Sequence, residues 1–169
     1  AIVIAARAGG GRLLPDDHLS RPDFLSEAGH GWYLRALRSH DTSDAAQAVR
    51  RFSDALEQAQ RTASSALVET TRGLAAALLV QAEITSNDAD YDEALRLARQ
   101  AVSSAPPTSP DRGILLATQG RAAVAQFRRT GEDTDRDLAV ASYRAACAAA
   151  AAARPALAED IARAWTHWA

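Results

Sequence analysis

The sequence predicts an all-α solenoid of helical hairpins, about three hairpins followed by a terminal helix. Three observations carry this. First, an acidic turn motif recurs: Thr85-Ser86-Asn87-Asp88-Ala89-Asp90-Tyr91-Asp92-Glu93-Ala94-Leu95 returns forty-five residues later as Thr130-Gly131-Glu132-Asp133-Thr134-Asp135-Arg136-Asp137-Leu138-Ala139-Val140. Second, small residues, with large ones between them filling the remaining gap, recur in one register on the helix after the turn, as Ala48/Phe52/Ala55, Ala94/Ala98/Ala101 and Ala139/Tyr143/Ala146, with offsets of 46 and 45. Third, proline-rich or turn-forming breaks separate the periodic stretches. A fixed period of this length in a helix-forming chain means stacked supersecondary units, each too small to bury its own apolar face.

The elements follow in order. Residues 1–26 read as an irregular leader or cap: Ile2-Val3-Ile4 fits a short strand or a disordered leader, Gly9-Gly10-Gly11 breaks what precedes it, and Ser20-Arg21-Pro22-Asp23 reads as a turn. The repeat domain spans residues 27–169, with hairpins at about 27–60, 63–104 and 109–153 and a final helix at 156–168. The first helix, about 27–39, carries Trp32, Leu34 and Leu37, and ends at His40-Asp41-Thr42-Ser43-Asp44. The second, about 44–59, places Ala48, Phe52, Ala55, Leu56 and Ala59 on one face at helical spacing. The third, about 64–85, carries Leu67, Leu74, Leu78 and Leu79. Asp90 with Glu93 has capping-box spacing, so Asp90 is expected to cap a fourth helix over about 90–104. Pro106-Pro107-Thr108-Ser109-Pro110 stops that helix. A fifth follows over about 109–129, with Gly131 placed as its C-terminal cap, and a sixth over about 135–153. Pro155 opens the last helix, where Leu157, Ile161, Trp165 and Trp168 lie.

Composition excludes several functions. The 169 residues suffice for one domain with a substantial core. The formal charge is −2 with both signs interspersed, so no basic stripe points to nucleic acid. The longest apolar run, from Cys147 to Ala153, is far too short to span a membrane. Ala1 to Ala6 lacks the basic region of a signal peptide, and the absence of Met at position 1 suggests a fragment or processed product. The one cysteine, Cys147, excludes an internal disulfide, and the expected setting is the cytoplasm.

The turn motif resembles the tetratricopeptide repeat, in the long-period variety common in multidomain proteins of filamentous actinobacteria. The resemblance rests on Gly120, Thr130-Gly131, Asp135 and Ala139 in the third hairpin. In the second it rests on Thr85, Asp90, Asp92-Glu93-Ala94-Leu95 and Ala101, followed by Pro106-Pro107 and Pro110-Asp111-Arg112. It covers about residues 30–169 and is strong over 73–147. The first hairpin has neither Thr-Gly nor Asp-Glu-Ala, Ala75 stands where glycine is usual, and Leu138 replaces the Glu. Such repeats often sit beside a caspase-like protease domain or a nucleotide-binding signalling domain. The resemblance therefore implies a sensing, scaffolding or regulatory segment.

No residue set points to catalysis, a metal or a cofactor. Gly9-Gly10-Gly11-Arg12 lacks the Lys-Ser/Thr of a phosphate loop. His18, His30, His40 and His167 form no ligand pair at zinc spacing. Cys147, on an alanine-rich helix, reads as a small buried hydrophobe. The acidic turns lack the twelve-residue calcium-loop pattern and read as helix-capping carboxylates. Arg35, Arg72, Gln81, Arg121, Gln126 and Arg128 are the polar candidates for a concave binding face, with Gln81 and Gln126 at equivalent positions. Trp165 and Trp168, three apart, are candidate anchors at the end of the array. The expected function is a non-enzymatic protein-interaction or regulatory scaffold module that binds a protein or peptide, including a neighbouring domain of the same polypeptide. The alternatives are a substrate-recognition segment of a protease or other enzyme, and the sensor arm of a transcriptional regulator.

Overall fold

Local signals at the helix ends fix the frame. The computed structural model describes residues 21–153 and 155–168, without the side chains of residues 153, 165, 167 and 168. Within that range the chain forms α1 (Arg21–Ser39), α2 (Thr42–Arg61), α3 (Leu67–Thr85), α4 (Asp88–Ser104), α5 (Arg112–Thr130), α6 (Asp133–Ala153) and α7 (Pro155–Trp168). The expectations for Ile2-Val3-Ile4, Gly9-Gly10-Gly11 and His18 lie outside the described residues.

Two expectations are corrected. The first helix starts at Arg21, not near 27. Pro22 is no obstacle in a first turn, where its missing N–H would have no intrahelical partner, and Asp23 favours the positive end of the helix dipole. The fourth helix is capped by Asn87, not Asp90: the Asn87 side chain accepts from the Ala89 amide at 3.1 Å. Asp90 lies inside the helix and accepts from Gln81 instead. At the head of α2, Asp41 accepts from the amides of Ser43 and Asp44. These bonds hold its carboxyl below the ordinary carboxylate range, the Ser43 hydroxyl contributing most.

The first helix of each hairpin stops in the same way. His40, Ser86 and Gly131, spaced by 46 and 45, all have left-handed backbones, with φ of 52°, 57° and 73°. Their amides return to the carbonyls of Ala36, Ala82 and Phe127 four residues back. Gly131 thus takes the C-cap role expected of it. The other two hairpins hold the same conformation with a side chain attached, which costs an L-residue free energy that glycine avoids.

Packing repeats in the same register. A Cβ added to Gly29 in α1 would stand 3.0 Å from the Phe52 ring of α2, and one added to Gly120 in α5 would stand 2.8 Å from the Tyr143 ring of α6. Both pairs are 23 residues apart. The corresponding pair in the middle hairpin is Ala75 and Ala98, both about 1% exposed. The small member gains a methyl where the large member loses a ring. Phe52 is also covered from the other side, because a Cβ on Gly73 of α3 would overlap it. One aromatic ring therefore joins the first hairpin internally and docks the second onto it.

Each helix packs on the next along the chain. The odd-numbered helices also touch in turn, α1 on α3, α3 on α5 and α5 on α7; among the described residues the backbones of α2, α4 and α6 do not approach one another, and α4 meets α6 through the Arg99–Asp135 ion pair at 3.8 Å. The odd helices thus form the tighter, inner layer of a helical-repeat arrangement. The core runs continuously between the layers from Phe52 through Leu79, Leu95, Leu97 and Val124 to Tyr143 and Ile161. At the junction of the first two hairpins, Val80 of α3 packs on Ala36 and Ala45.

Two outcomes test this frame by chemical denaturation. Gly120→Ala should cost about 1–3 kcal/mol from overpacking against Tyr143. In a Tyr143→Ala background the same change should be neutral or stabilising, since helix propensity favours Ala by about 1 kcal/mol; additive effects would refute the coupled fit. Ser86→Gly should stabilise by about 0.5–1 kcal/mol by relieving the left-handed side chain, and a destabilised variant would contradict the cap geometry.

Candidate interaction groove

The inner layer carries a groove floored by apolar side chains and edged by arginines and phenols. One depression of about 430 Å³ lies among Tyr33 of α1, Arg72 and Leu79 of α3, Ile114 and Arg121 of α5, Tyr143 of α6 and Ile161 of α7. A second, of about 480 Å³, shares Arg121 and Tyr143 and adds Glu83, Arg128 and Arg163. Helical periodicity puts these groups together: Leu79 and Arg72 are seven apart on α3, as are Ile114 and Arg121 on α5.

Arg121 is the centre of the polar frame. Its guanidinium donates to the Tyr33 hydroxyl at 3.3 Å and to the Glu83 carboxylate at 3.0 and 3.2 Å. One side chain of α5 therefore grips both α3 and α1, and so reaches past the second hairpin to the first. Burial works against its charge, but Glu83 and Tyr33 outweigh this and raise its pKa. Arg72 sits deeper, with its side chain 14% exposed, and forms a two-pronged pair with Glu69 that outweighs burial and raises its pKa. Burial pushes the Tyr143 phenol up, opposed by the charges of Arg121 and Arg128. Tyr143 thus remains a neutral hydroxyl at physiological pH, able to donate or accept a hydrogen bond.

The other polar candidates have structural employment. Arg35 donates to Asp44 at 3.2 Å and lies over the Trp32 ring at 4.6 Å. Gln81 donates to Asp90 at 2.8 Å. These two bonds are equivalent: donor and acceptor are nine apart in each, and the pairs are offset by 46. Gln126, in the same register, turns instead to Asp92 of the preceding hairpin at 2.7 Å, beside Arg129 at 2.7 Å from the same oxygen. The freed Asp135 faces Arg99 at 3.8 Å. Arg128 is exposed at the edge of the second depression. The side chains of Trp165 and Trp168 lie outside the described residues.

Arg72, Arg121 and Arg128 therefore come together on the groove, whereas Arg35 and Gln81 are tied to first-turn carboxylates and Gln126 to Asp92, further along α4. Sequence reasoning passed over Tyr33, Glu83 and Tyr143 as groove residues. Tyr143 fills the core with its ring and also borders the groove. Nothing in the local sequence marks Tyr33 and Glu83, because their partner Arg121 is 88 and 38 residues away.

Among the described residues no three His, Cys, Asp or Glu side chains are placed to hold a metal ion. Cys147 is half-buried and unpaired by any disulfide. No described helix is long and apolar enough to cross a membrane. No family model, curated protein or solved structure matches this chain.

The span of Arg121 is open to a double-mutant cycle. Tyr33→Phe and Arg121→Gln should each cost under about 1 kcal/mol, as expected of partly exposed polar contacts. They should show a measurable coupling despite their separation in sequence. Strict additivity in urea melts would remove the direct contact.

Proposed function

We propose that this chain is a non-enzymatic protein-interaction module of the tetratricopeptide-repeat kind, serving as a regulatory or scaffold segment of a larger protein. The observation that carries the reading is the groove itself: a single surface contributed by α1, α3, α5, α6 and α7, apolar at its floor and polar along its edges. Surfaces of this composition suit a segment of another protein. Apolar side chains enter the floor, and the arginines and phenols meet backbone carbonyls or acidic groups along the rim. The turn motif, the common left-handed helix stops and the inner layer of odd helices support the repeat assignment.

The partner is a protein or peptide, including a neighbouring domain of the same polypeptide. The near-neutral charge favours neither nucleic acid nor a membrane surface. A cytoplasmic setting and an actinobacterial multidomain context follow from the resemblance and the single cysteine, and belong to this proposal.

Peptides selected from a display library on the intact chain test it. Fluorescence anisotropy should show at least about tenfold weaker binding for Arg128→Glu, which reverses an exposed rim charge, a loss of about 1.4 kcal/mol. Arg96→Glu on α4, away from the groove, should leave affinity within twofold. Equal effects at both positions, or a hot spot confined to the outer layer, would overturn the groove as the binding surface.

A further inference from the structure

The two depressions of the inner layer form one channel along α5. Ile114, Ala117 and Arg121 line the first, and Arg121, Ala125 and Arg128 the second. Their spacings of three and four place them on a single stripe of the helix, about 21 Å long from Ile114 to Arg128. α5 touches both α3 and α7. Leu79 and Glu83 of α3 form one wall, and Ile161 and Ala164 of α7 the other. The depressions hold about 430 and 480 Å³, volumes of side chains and not of a whole segment. One face of an occupant enters, and the rest of it stays outside.

The polar groups of the channel offer little to an extended backbone. Thr118 donates to the Ile114 carbonyl at 2.9 Å. Arg72 is paired with Glu69, and Arg121 with Glu83 and Tyr33. The amide side chains of Gln81 and Gln126, the type that can pair both backbone groups of a strand, are held by Asp90 and Asp92. A strand laid here would lose water from its N–H and C=O groups and gain few partners. A helix satisfies its own backbone and presents one apolar stripe.

Charge sets the direction of that helix. Three of the channel's cations are balanced on the spot: Arg72 by Glu69, Arg121 by Glu83 and Arg163 by Asp160. Arg128 is exposed, with no ion pair among the described residues. The repeat register explains why. Arg128 stands 45 residues after Glu83, which receives Arg121 from the following hairpin. The counterpart of Arg121 on α7 is Thr166, whose hydroxyl turns back to the Arg163 carbonyl at 3.0 Å. The link between α3 and α5 thus has no equivalent between α5 and α7, and a cation is left at that end of the channel.

We propose that the occupant of this groove is an amphipathic helix of about four turns, lying antiparallel to α5, with its apolar stripe on the channel and an acidic residue of its first turn on Arg128. The inference rests on the groove being the binding surface proposed above and adds the form, charge and direction of the partner segment. A first-turn carboxylate is also favoured by the dipole of its own helix, so the acid belongs at the occupant's N-terminus, and the antiparallel direction follows from the position of Arg128 in the last turn of α5.

Fluorescence anisotropy on the intact chain tests this with three synthetic peptides. The first has about fourteen residues, leucines at steps of three and four, and two glutamates in its first turn. The second keeps every leucine and glutamate but carries prolines at two solvent-facing central positions, which bars the helix. The third moves the glutamates to the last turn. The first should bind at least about tenfold more tightly than the second and about threefold more tightly than the third. Arg128→Gln should erase the difference between the first and the third. Ala164→Arg, an exposed position shared by both depressions, should weaken the first at least about tenfold. A proline peptide that binds as tightly as the first, and is weakened by Ala164→Arg, overturns the helical occupant and leaves the groove standing. Equal affinity of the first and third overturns the direction. Failure of the first peptide to bind overturns the inference, while peptides selected from the library still decide the groove. Binding of the first peptide that Ala164→Arg leaves within twofold lies off the groove and overturns both readings.

Discussion

The structure depends on close packing between the two helices of each hairpin. At one position of the first helix and another 23 residues later, the residues are matched in size. Gly29 leaves room for the Phe52 ring and Gly120 for the Tyr143 ring; in the middle hairpin both positions are small and buried, Ala75 and Ala98. Interiors packed to crystal density leave little room for a second side chain beside either ring. Because Phe52 also fills the space against Gly73, the fit within one hairpin sets the docking distance of the next. The departure of Ala75 from the expected glycine is therefore matched by a change across the interface.

Polar groups add directional contacts to this packed stack. Arg35 on Asp44 and Gln81 on Asp90 close the hairpin turn at the first turn of the second helix. In the third hairpin the same glutamine position reaches backward to Asp92, with Arg129 spanning Asp88 and Asp92. Exposed pairs of this kind contribute little stability each. Their effect is directional: they select which neighbouring turn a helix meets.

Much of the frame was legible because it is local or periodic. Gly131, the proline cluster and the small-residue register each act within a few residues or repeat at a constant interval. The start of α1 was not legible because Pro22 reads equally as a turn residue and as a first-turn helix residue. Asn87 was missed because Asp90 and Glu93 have the spacing of a capping box, while the structure gives Asp90 to Gln81. The groove was half legible. The arginines of the inner layer follow from helical phase, but their engagement does not, since Glu69 is three residues from Arg72 and Glu83 is 38 from Arg121.

Arg121 bears on function through what it does to a one-dimensional stack. In a repeat array each unit touches its neighbours alone, and its ends move independently. The bond from Arg121 to Tyr33 joins the third hairpin to the first and makes the width of the groove a property of all three. A segment entering beneath Tyr33 and Arg121 must either fit that width or displace Glu83 and the phenol from the guanidinium. On the proposed reading, a segment of another protein meets two demands here: apolar fit to Leu79, Ile114 and Ile161, and replacement of the polar contacts that Arg121 already makes.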